Sequence, residues 1–314
     1  MRQRSLNASF FIILALTVLL MTPTRGAAQN SGAPGDTHEQ SAVHSTVPEG
    51  MTLISGGRIE IGIDASEVSH FQKFFDVEGM ELFESEIPKH RVTITSFFLD
   101  QRLVTNAQFK AFVDNNPNWS AERVPANLHN GNYLRHWLSR MHQDVPPGFA
   151  NRPVVNVSWY VAVAYCQSLG KRLPTEAEFV YAARGNLPGP FPWAGEAIDK
   201  HHANYRASGF DTTSPVATYA ANGYGLYDMA GNVWEFLADE YRPYTSAEQH
   251  NPIGGNDQFE SGDSFLQIKS RRVIRGGSYA GSPINLWVEY RDSHPPAAAK
   301  DFVGFRCAKS AGNQ

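Results

Sequence analysis

The chain has 314 residues, 42% of them apolar and 18% charged, so it can bury a substantial core and is not wholly disordered. Lys and Arg number 27 against 31 Asp and Glu, and the net charge of −4 argues against a nucleic-acid binder or a basic membrane-surface protein. The 2 cysteines are too few for a disulfide-rich scaffold or a four-thiolate zinc site.

The N-terminus is typical of a secretory signal peptide. Arg2 and Arg4 precede a short apolar segment at residues 10–21, and small residues around Ala28 follow it. This segment is shorter than the roughly 20 residues that a membrane span needs. We therefore predict a signal peptide at residues 1–28 and a periplasmic or secreted mature protein without a membrane span. The alternative is a buried N-terminal helix.

Residues 29–48 contain hardly any large apolar side chain, and we predict that they form a flexible leader. The folded domain is predicted at residues 49–310. Apolar residues in segment 51–63 alternate around two glycines, which predicts a β-hairpin, and segment 90–100 predicts a further strand.

Three segments carry helix signals. Thr105 and Ser158 are placed to cap helices, and Thr175 begins a T-x-x-E capping box. Gly170 and Gly185 can end the second and third of these helices in a left-handed conformation. Turn residues dominate after Gly185, so we predict one irregular α+β domain.

Five segments then carry a family resemblance. Residues 152–185, 192–195, 222–236, 272–279 and 303–308 resemble, in the same order, the signature blocks of the formylglycine-generating enzyme, or sulfatase-modifying factor, family. The resemblance implies a single compact domain related to C-type lectins, with little regular secondary structure and often with bound calcium.

The resemblance also implies a calcium loop in the segment "DMAGNVWE". Its ligands would be the side chains of Asp228 and Glu235 and the backbone oxygens of Gly231 and Val233, which are the hard oxygen donors that Ca²⁺ prefers. The alternative is a tight turn in which Glu235 forms a salt bridge with a nearby arginine.

A second calcium site of the family would use Asn204 and the carbonyl groups of Tyr205 and Phe210. Ser208 stands where the family pattern has an aspartate, so the site loses a charged ligand unless Asp211 replaces it.

Cys166 and Cys307 match positions that are disulfide-bonded in members of the family. In an oxidising compartment, a bridge closing so long a loop stabilises by up to about 5 kcal/mol on the chain-entropy model. The alternatives are two buried thiols or a catalytic thiol pair.

The two copper-binding cysteines of formylglycine generators are missing. Gly281 occupies the place of the first, and the second falls near Leu286 or Trp287. Because Cu(I) binds soft thiolates, we expect no copper and no formylglycine generation on sulfatases by that mechanism.

Polar and aromatic residues follow the signature turn. We name Ser278, Glu289 and Arg291 as candidate catalytic residues and Tyr279 and Trp287 as candidate substrate-binding residues. Glu289 could act as a general base and Arg291 as an anchor for an anion or the substrate.

Residues 286–292 are predicted to form a strand that places Trp287, Glu289 and Arg291 on one face. The alternative role for the two charged residues is a structural bridge between Glu289 and Arg291.

Exported members of the family without copper cysteines include a branch that acts in pyoverdine maturation. The resemblance therefore implies oxidative tailoring of a peptide-derived substrate such as a siderophore chromophore, with a redox cofactor that the sequence does not identify. The alternative is a non-catalytic, calcium-stabilised, lectin-like module that binds another exported protein.

Overall fold

The structure is a computed structural model that describes residues 47–137, 144–254 and 262–312. The predicted signal peptide and all but the last two residues of the predicted leader lie outside the described residues. No helix in the described ranges is long and apolar enough to cross a membrane.

The described ranges contain four α-helices and ten short strands, which confirms the predicted α+β class. The helices are α1 (Val68–Phe75), α2 (Asn106–Asn115), α3 (Trp159–Ser168) and α4 (Glu176–Arg184). The last three begin at the predicted caps. Thr105 and Thr175 each accept a hydrogen bond from the backbone three residues later, within complete capping boxes.

The strands form three small sheets. The first contains β1 (Met51–Ile54), β4 (Phe97–Asp100) and β10 (Ala308–Ser310), in that order. The second contains β2 (Gly57–Ile61), β3 (His90–Ile94) and β6 (Gln249–His250). The third has the order β8 (Arg291–His294), β7 (Arg272–Arg275), β5 (Trp234–Glu240) and β9 (Val303–Gly304).

The predicted hairpin at residues 51–63 is wrong. β1 pairs with β4 and β2 pairs with β3, so the two strands belong to different sheets. The glycines between them serve close packing, because a Cβ atom on Gly56 would lie 2.4 Å from the Ile94 carbonyl oxygen. The predicted strand at residues 90–100 is divided between the same two sheets, as β3 and β4.

The predicted strand at residues 286–292 is also wrong. Pro283–Leu286 forms a 3₁₀ helix that begins with a Ser282–Asn285 capping box, residues 287–290 turn, and β8 begins only at Arg291. Trp287 and Glu289 therefore lie in a turn and share no strand face with Arg291.

The largest hydrophobic cluster surrounds α3, whose first eight residues are all buried. A helix that is apolar on every side must be covered on every side. Cys166 on α3 and Cys307 next to β10 form a disulfide in this core, with Cα atoms 5.7 Å apart and a sequence separation of 141. The bridge connects the central helix to the C-terminal strand of the first sheet.

Candidate functional site

The loop predicted to bind calcium is fixed by a buried ion pair. The Nε and Nη2 atoms of Arg306 donate to the two carboxylate oxygens of Glu235 at 2.7 and 2.8 Å, and neither side chain is exposed. Arg306 also donates to the Tyr227 carbonyl at 2.9 Å. This geometry matches the alternative interpretation of Glu235, a salt bridge with an arginine.

The remaining predicted ligands surround a tight turn. Asp228 has a φ of 54°, and its Oδ2 atom accepts a hydrogen bond from the Ala217 N–H at 2.8 Å. Burial raises the pKa of Asp228, and the hydrogen bond from Ala217 opposes that rise. Both Glu235 oxygens accept hydrogen bonds from Arg306. Calcium binding by Asp228, Gly231, Val233 and Glu235 remains a prediction.

In the second predicted calcium set, the amide oxygen of Asn204 already has a partner. The Ser208 hydroxyl donates to it at 2.9 Å, while the Asn204 amide nitrogen donates to the Thr212 carbonyl at 3.0 Å. Asn204 and Tyr205 are buried and Phe210 is exposed. The residue that replaces the family's aspartate thus holds Asn204 directly, and this site also remains a prediction.

Arg291 belongs to a buried network around Glu176. Its Nε and Nη2 atoms donate to the two Glu176 oxygens at 2.8 and 2.9 Å, and Arg275 donates to the same carboxylate at 2.7 Å. Burial alone would raise the pKa of Glu176, but the two guanidinium groups hold it below its usual value. Arg291 also lies 4.2 Å from the centre of the Tyr244 ring. These contacts favour a structural role for Arg291 over the predicted anchor.

Glu289 forms a different ion pair, so the predicted alternative of a Glu289–Arg291 bridge is wrong. Its Oε1 atom accepts a hydrogen bond from Arg184 at the end of α4, and its Oε2 atom accepts one from the Gly62 N–H at 2.7 Å. The side chain is only 6% exposed, and its accessible part faces a cavity.

This cavity, which we call the α1 cavity, has a volume of about 320 Å³. It lies between α1, the end of β2 and the turn at residues 287–289, and one wall is built from Phe71, Phe74 and Trp287. The ring centres of Phe71 and Trp287 are 4.3 Å apart. The packing of α1 against the turn therefore creates an aromatic surface beside the Glu289 carboxylate.

Charged groups also line the α1 cavity: Glu60, Glu67, Lys89, Arg184, Glu196 and Glu289, with the imidazole of His70 beside them. Lys89 pairs with Glu67 at 2.5 Å, and Arg184 pairs with Glu289. The cavity thus combines flat apolar surface with ionised groups, the arrangement that binds and orients a small polar ligand.

Ser278 and Tyr279 lie outside the lining of the α1 cavity. Ser278 is buried in a turn after Gly276 and Gly277, whose φ angles are 93° and 74°, and its carbonyl accepts the Gly281 N–H at 2.8 Å. Tyr279 is partly buried, and its N–H donates to the Asn232 carbonyl at 3.0 Å. Of the five predicted site residues, the cavity brings together Trp287 and Glu289.

Sequence reasoning missed Phe71 and Phe74 of the aromatic wall because α1 was not predicted. Apolar residues at Val68, Phe71 and Phe75 follow helical spacing, and Asp64 and Glu67 form a capping box just before them. Those two signals could have identified the helix. Arg184 was missed for another reason, because it lies 105 residues from Glu289.

The positions of the copper cysteines carry no thiol. Leu286 and Trp287 are buried in the aromatic cluster beside the α1 cavity, and Gly281 accepts the Arg206 N–H through its carbonyl at 3.1 Å. Both cysteines of the chain are joined in the Cys166–Cys307 disulfide. The residues at these positions therefore do not fit Cu(I), which requires soft ligands.

Comparison with known proteins shows which family and which solved structures the chain is similar to. Residues 37–311 match the family model described as a sulfatase-modifying factor enzyme 1-like domain. The formylglycine-generating enzyme of Streptomyces coelicolor is 34% identical over 83% of this chain and 90% of its own. Serine/threonine-protein kinase pkn1 of Chlamydia caviae is 36% identical over 71% of this chain, which spans about a third (34%) of that relative's length. The solved structure of PvdO from Pseudomonas aeruginosa superposes with a TM-score of 0.60 at 24% identity, covering 83% of this chain and 94% of that one.

Proposed function

Because the chain belongs to the sulfatase-modifying factor enzyme 1-like family, we propose that it tailors a peptide-derived substrate bound in the α1 cavity. The observation that carries the proposal is the position of Glu289. Its buried carboxylate faces a cavity with an aromatic wall and lies in the turn at residues 287–289. A carboxylate held at the wall of a cavity, beside an aromatic surface, can accept a proton from a bound substrate.

The proposed reaction is oxidative. The substrate loses two protons and two electrons from the two atoms of one single bond, which becomes a double bond. Glu289 accepts one of the protons and water accepts the other. Dioxygen takes up the two electrons and these two protons and leaves as hydrogen peroxide, which returns Glu289 to its carboxylate form. Arg184 and the Gly62 N–H hold the carboxylate in place for the proton transfer.

The proposed substrate is the chromophore of a peptide siderophore, and the proposed compartment is the periplasm or the exterior. The N-terminal sequence supports export, and the lack of thiols at Gly281 and Leu286 argues against formylglycine generation on sulfatases. The fold shared with PvdO is compatible with this proposal.

A second candidate is a non-catalytic binding module for another exported protein. The observation that favours it is the pairing of Glu289, whose two oxygens already accept hydrogen bonds from Arg184 and Gly62. In that case the cavity binds a ligand or a peptide without changing it.

Deletion of the gene followed by mass spectrometry of exported metabolites tests the proposal. A catalytic role predicts a precursor that is two hydrogens heavier than the normal product. Complementation with Glu289→Gln should leave the precursor in place, with turnover reduced about 10²-fold or more, while Glu248→Gln, an exposed residue outside the cavity, should restore the product. Normal product formation by a folded Glu289→Gln variant would support the binding module instead.

A further inference from the structure

The charges that line the α1 cavity do not balance. Four carboxylates, those of Glu60, Glu67, Glu196 and Glu289, face it together with the cations of Lys89 and Arg184 and the imidazole of His70. The two cations are engaged with Glu67 and Glu289, so two carboxylates of the lining are left without a matching cation in it.

The two unmatched carboxylates have little compensation from outside the cavity. Glu60 has one ion-pair contact, with Arg91 at 3.7 Å, and both side chains are more than half exposed. Among the residues that the structure describes, no lysine or arginine forms an ion pair with Glu196. A ligand entering the cavity therefore meets an excess of negative charge.

The aromatic wall adds an independent preference of the same sign. Phe71, Phe74 and Trp287 present aromatic rings to the cavity, and the negative face of such a ring attracts a cation that lies within about 6 Å. Aromatic rings also stack on a flat ligand of either amidine or aryl type. The negative charge and the aromatic surface thus both favour a flat, positively charged ligand.

From this combination we infer that the α1 cavity binds the positively charged amidine, guanidine or amine group of its substrate, held between the aromatic wall and the carboxylates of Glu60 and Glu196. The inference rests on the proposed function only for the location of the site, because it concerns recognition and requires no chemical step. It would hold equally for a binding module.

Three probes of one shape test the inference. Benzamidinium, benzamide and benzoate carry charges of +1, 0 and −1 on the same ring, and calorimetric titration of the full chain gives the affinity of each. We expect benzamidinium to bind about tenfold more tightly than benzamide, and benzoate to bind most weakly. Equal affinities, tightest binding of benzoate, or no binding of any probe would overturn the inference.

Variants locate the binding. Glu196→Gln should weaken benzamidinium by about three- to tenfold and leave benzamide unchanged, since only the charge is removed. Phe71→Ala should weaken both probes, and Glu248→Gln should change neither. If Glu196→Gln has no more effect on benzamidinium than Glu248→Gln, the assigned carboxylate is wrong.

The test is separable from that of the proposed function. Loss of the charge preference, with product formation still dependent on Glu289, would remove the ligand class and leave the tailoring role. If instead the protein prefers the charged probe but its Glu289→Gln variant still forms the product, the ligand class stands and the tailoring role of Glu289 is removed.

Discussion

Glu235 and Arg306 form a bidentate ion pair that connects β5 to the C-terminal segment and is completely buried on both sides. Burial raises the pKa of Glu235, and the Arg306 guanidinium opposes that rise. The guanidinium also binds the Tyr227 and Asp228 carbonyls, at 2.9 and 3.3 Å. One buried pair thus fixes the signature loop to the end of the chain.

Removing one partner of this ion pair should strongly destabilise the folded chain. Glu235→Gln leaves the Arg306 charge buried without its counterion, so we expect the free energy of unfolding to fall by about 3–5 kcal/mol. The loss should be the same with calcium and with chelator, as measured by urea unfolding. Asp114→Asn, which breaks an exposed pair with Lys110, should cost no more than about 0.5 kcal/mol. A loss that disappears in chelator would instead make Glu235 a calcium ligand.

Calcium binding at the same loop remains a separate prediction. If Asp228 and the neighbouring carbonyls bind Ca²⁺, the ion stabilises the folded chain by mass action and raises Tm. Asp228→Asn should abolish that rise. Scanning calorimetry with millimolar calcium or chelator measures it, and an unchanged Tm in the parent protein would contradict the proposed site.

The disulfide between Cys166 and Cys307 should contribute more to the free energy of unfolding than the burial of either cysteine side chain alone. Reduction, or replacement of both cysteines by alanine, is expected to lower the free energy of unfolding by about 2–5 kcal/mol, because the bridge closes a loop of 141 residues. Peptide mapping without reduction should yield the linked pair. Recovery of both cysteines as alkylated thiols would show that the bridge is absent in solution.

The sequence predicted features that depend on local chemistry. The caps at Thr105 and Thr175 satisfy backbone groups within a few residues, so their signals are complete in the sequence. The α+β class followed from the strand, helix-cap and turn signals, and the family motifs agreed with it.

Features that depend on distant contacts were not predictable in this way. Glu289 meets Arg184 and Gly62, which are 105 and 227 residues away, and alternation alone suggested a strand where a 3₁₀ helix and a turn stand. The strands of segment 51–63 likewise pair with partners in two different sheets, and the close approach of the Gly56 backbone to Ile94 is a contact across 38 residues that alternation does not reveal.

Glu86 is a fully buried carboxyl beside Arg291. Its Oε1 atom accepts hydrogen bonds from the Arg291 N–H at 2.9 Å and the Ser85 hydroxyl at 3.0 Å, while Oε2 has no hydrogen-bond partner among the described residues. Burial raises the pKa of Glu86 to about 7, against a usual value of 4.5, although the Arg291 N–H and Arg275 oppose the rise.

Since the folded state holds this proton between pH 4.5 and about 7 and the unfolded state does not, the contribution of Glu86 to stability is greatest below pH 4.5. It falls as the pH rises to about 7 and is constant above that. Glu86→Gln mimics the neutral acid, so its stability relative to the parent should increase across this window, by on the order of 3 kcal/mol.

Asp239, whose pKa burial also raises to about 7, and His136, whose pKa burial lowers to about 4, are present in both proteins and cancel in the difference. Urea unfolding of the parent, Glu86→Gln and the exposed control Glu84→Gln at pH 5 and pH 8 measures the effect. A difference between Glu86→Gln and the parent that does not change with pH would show that Glu86 is ionised throughout.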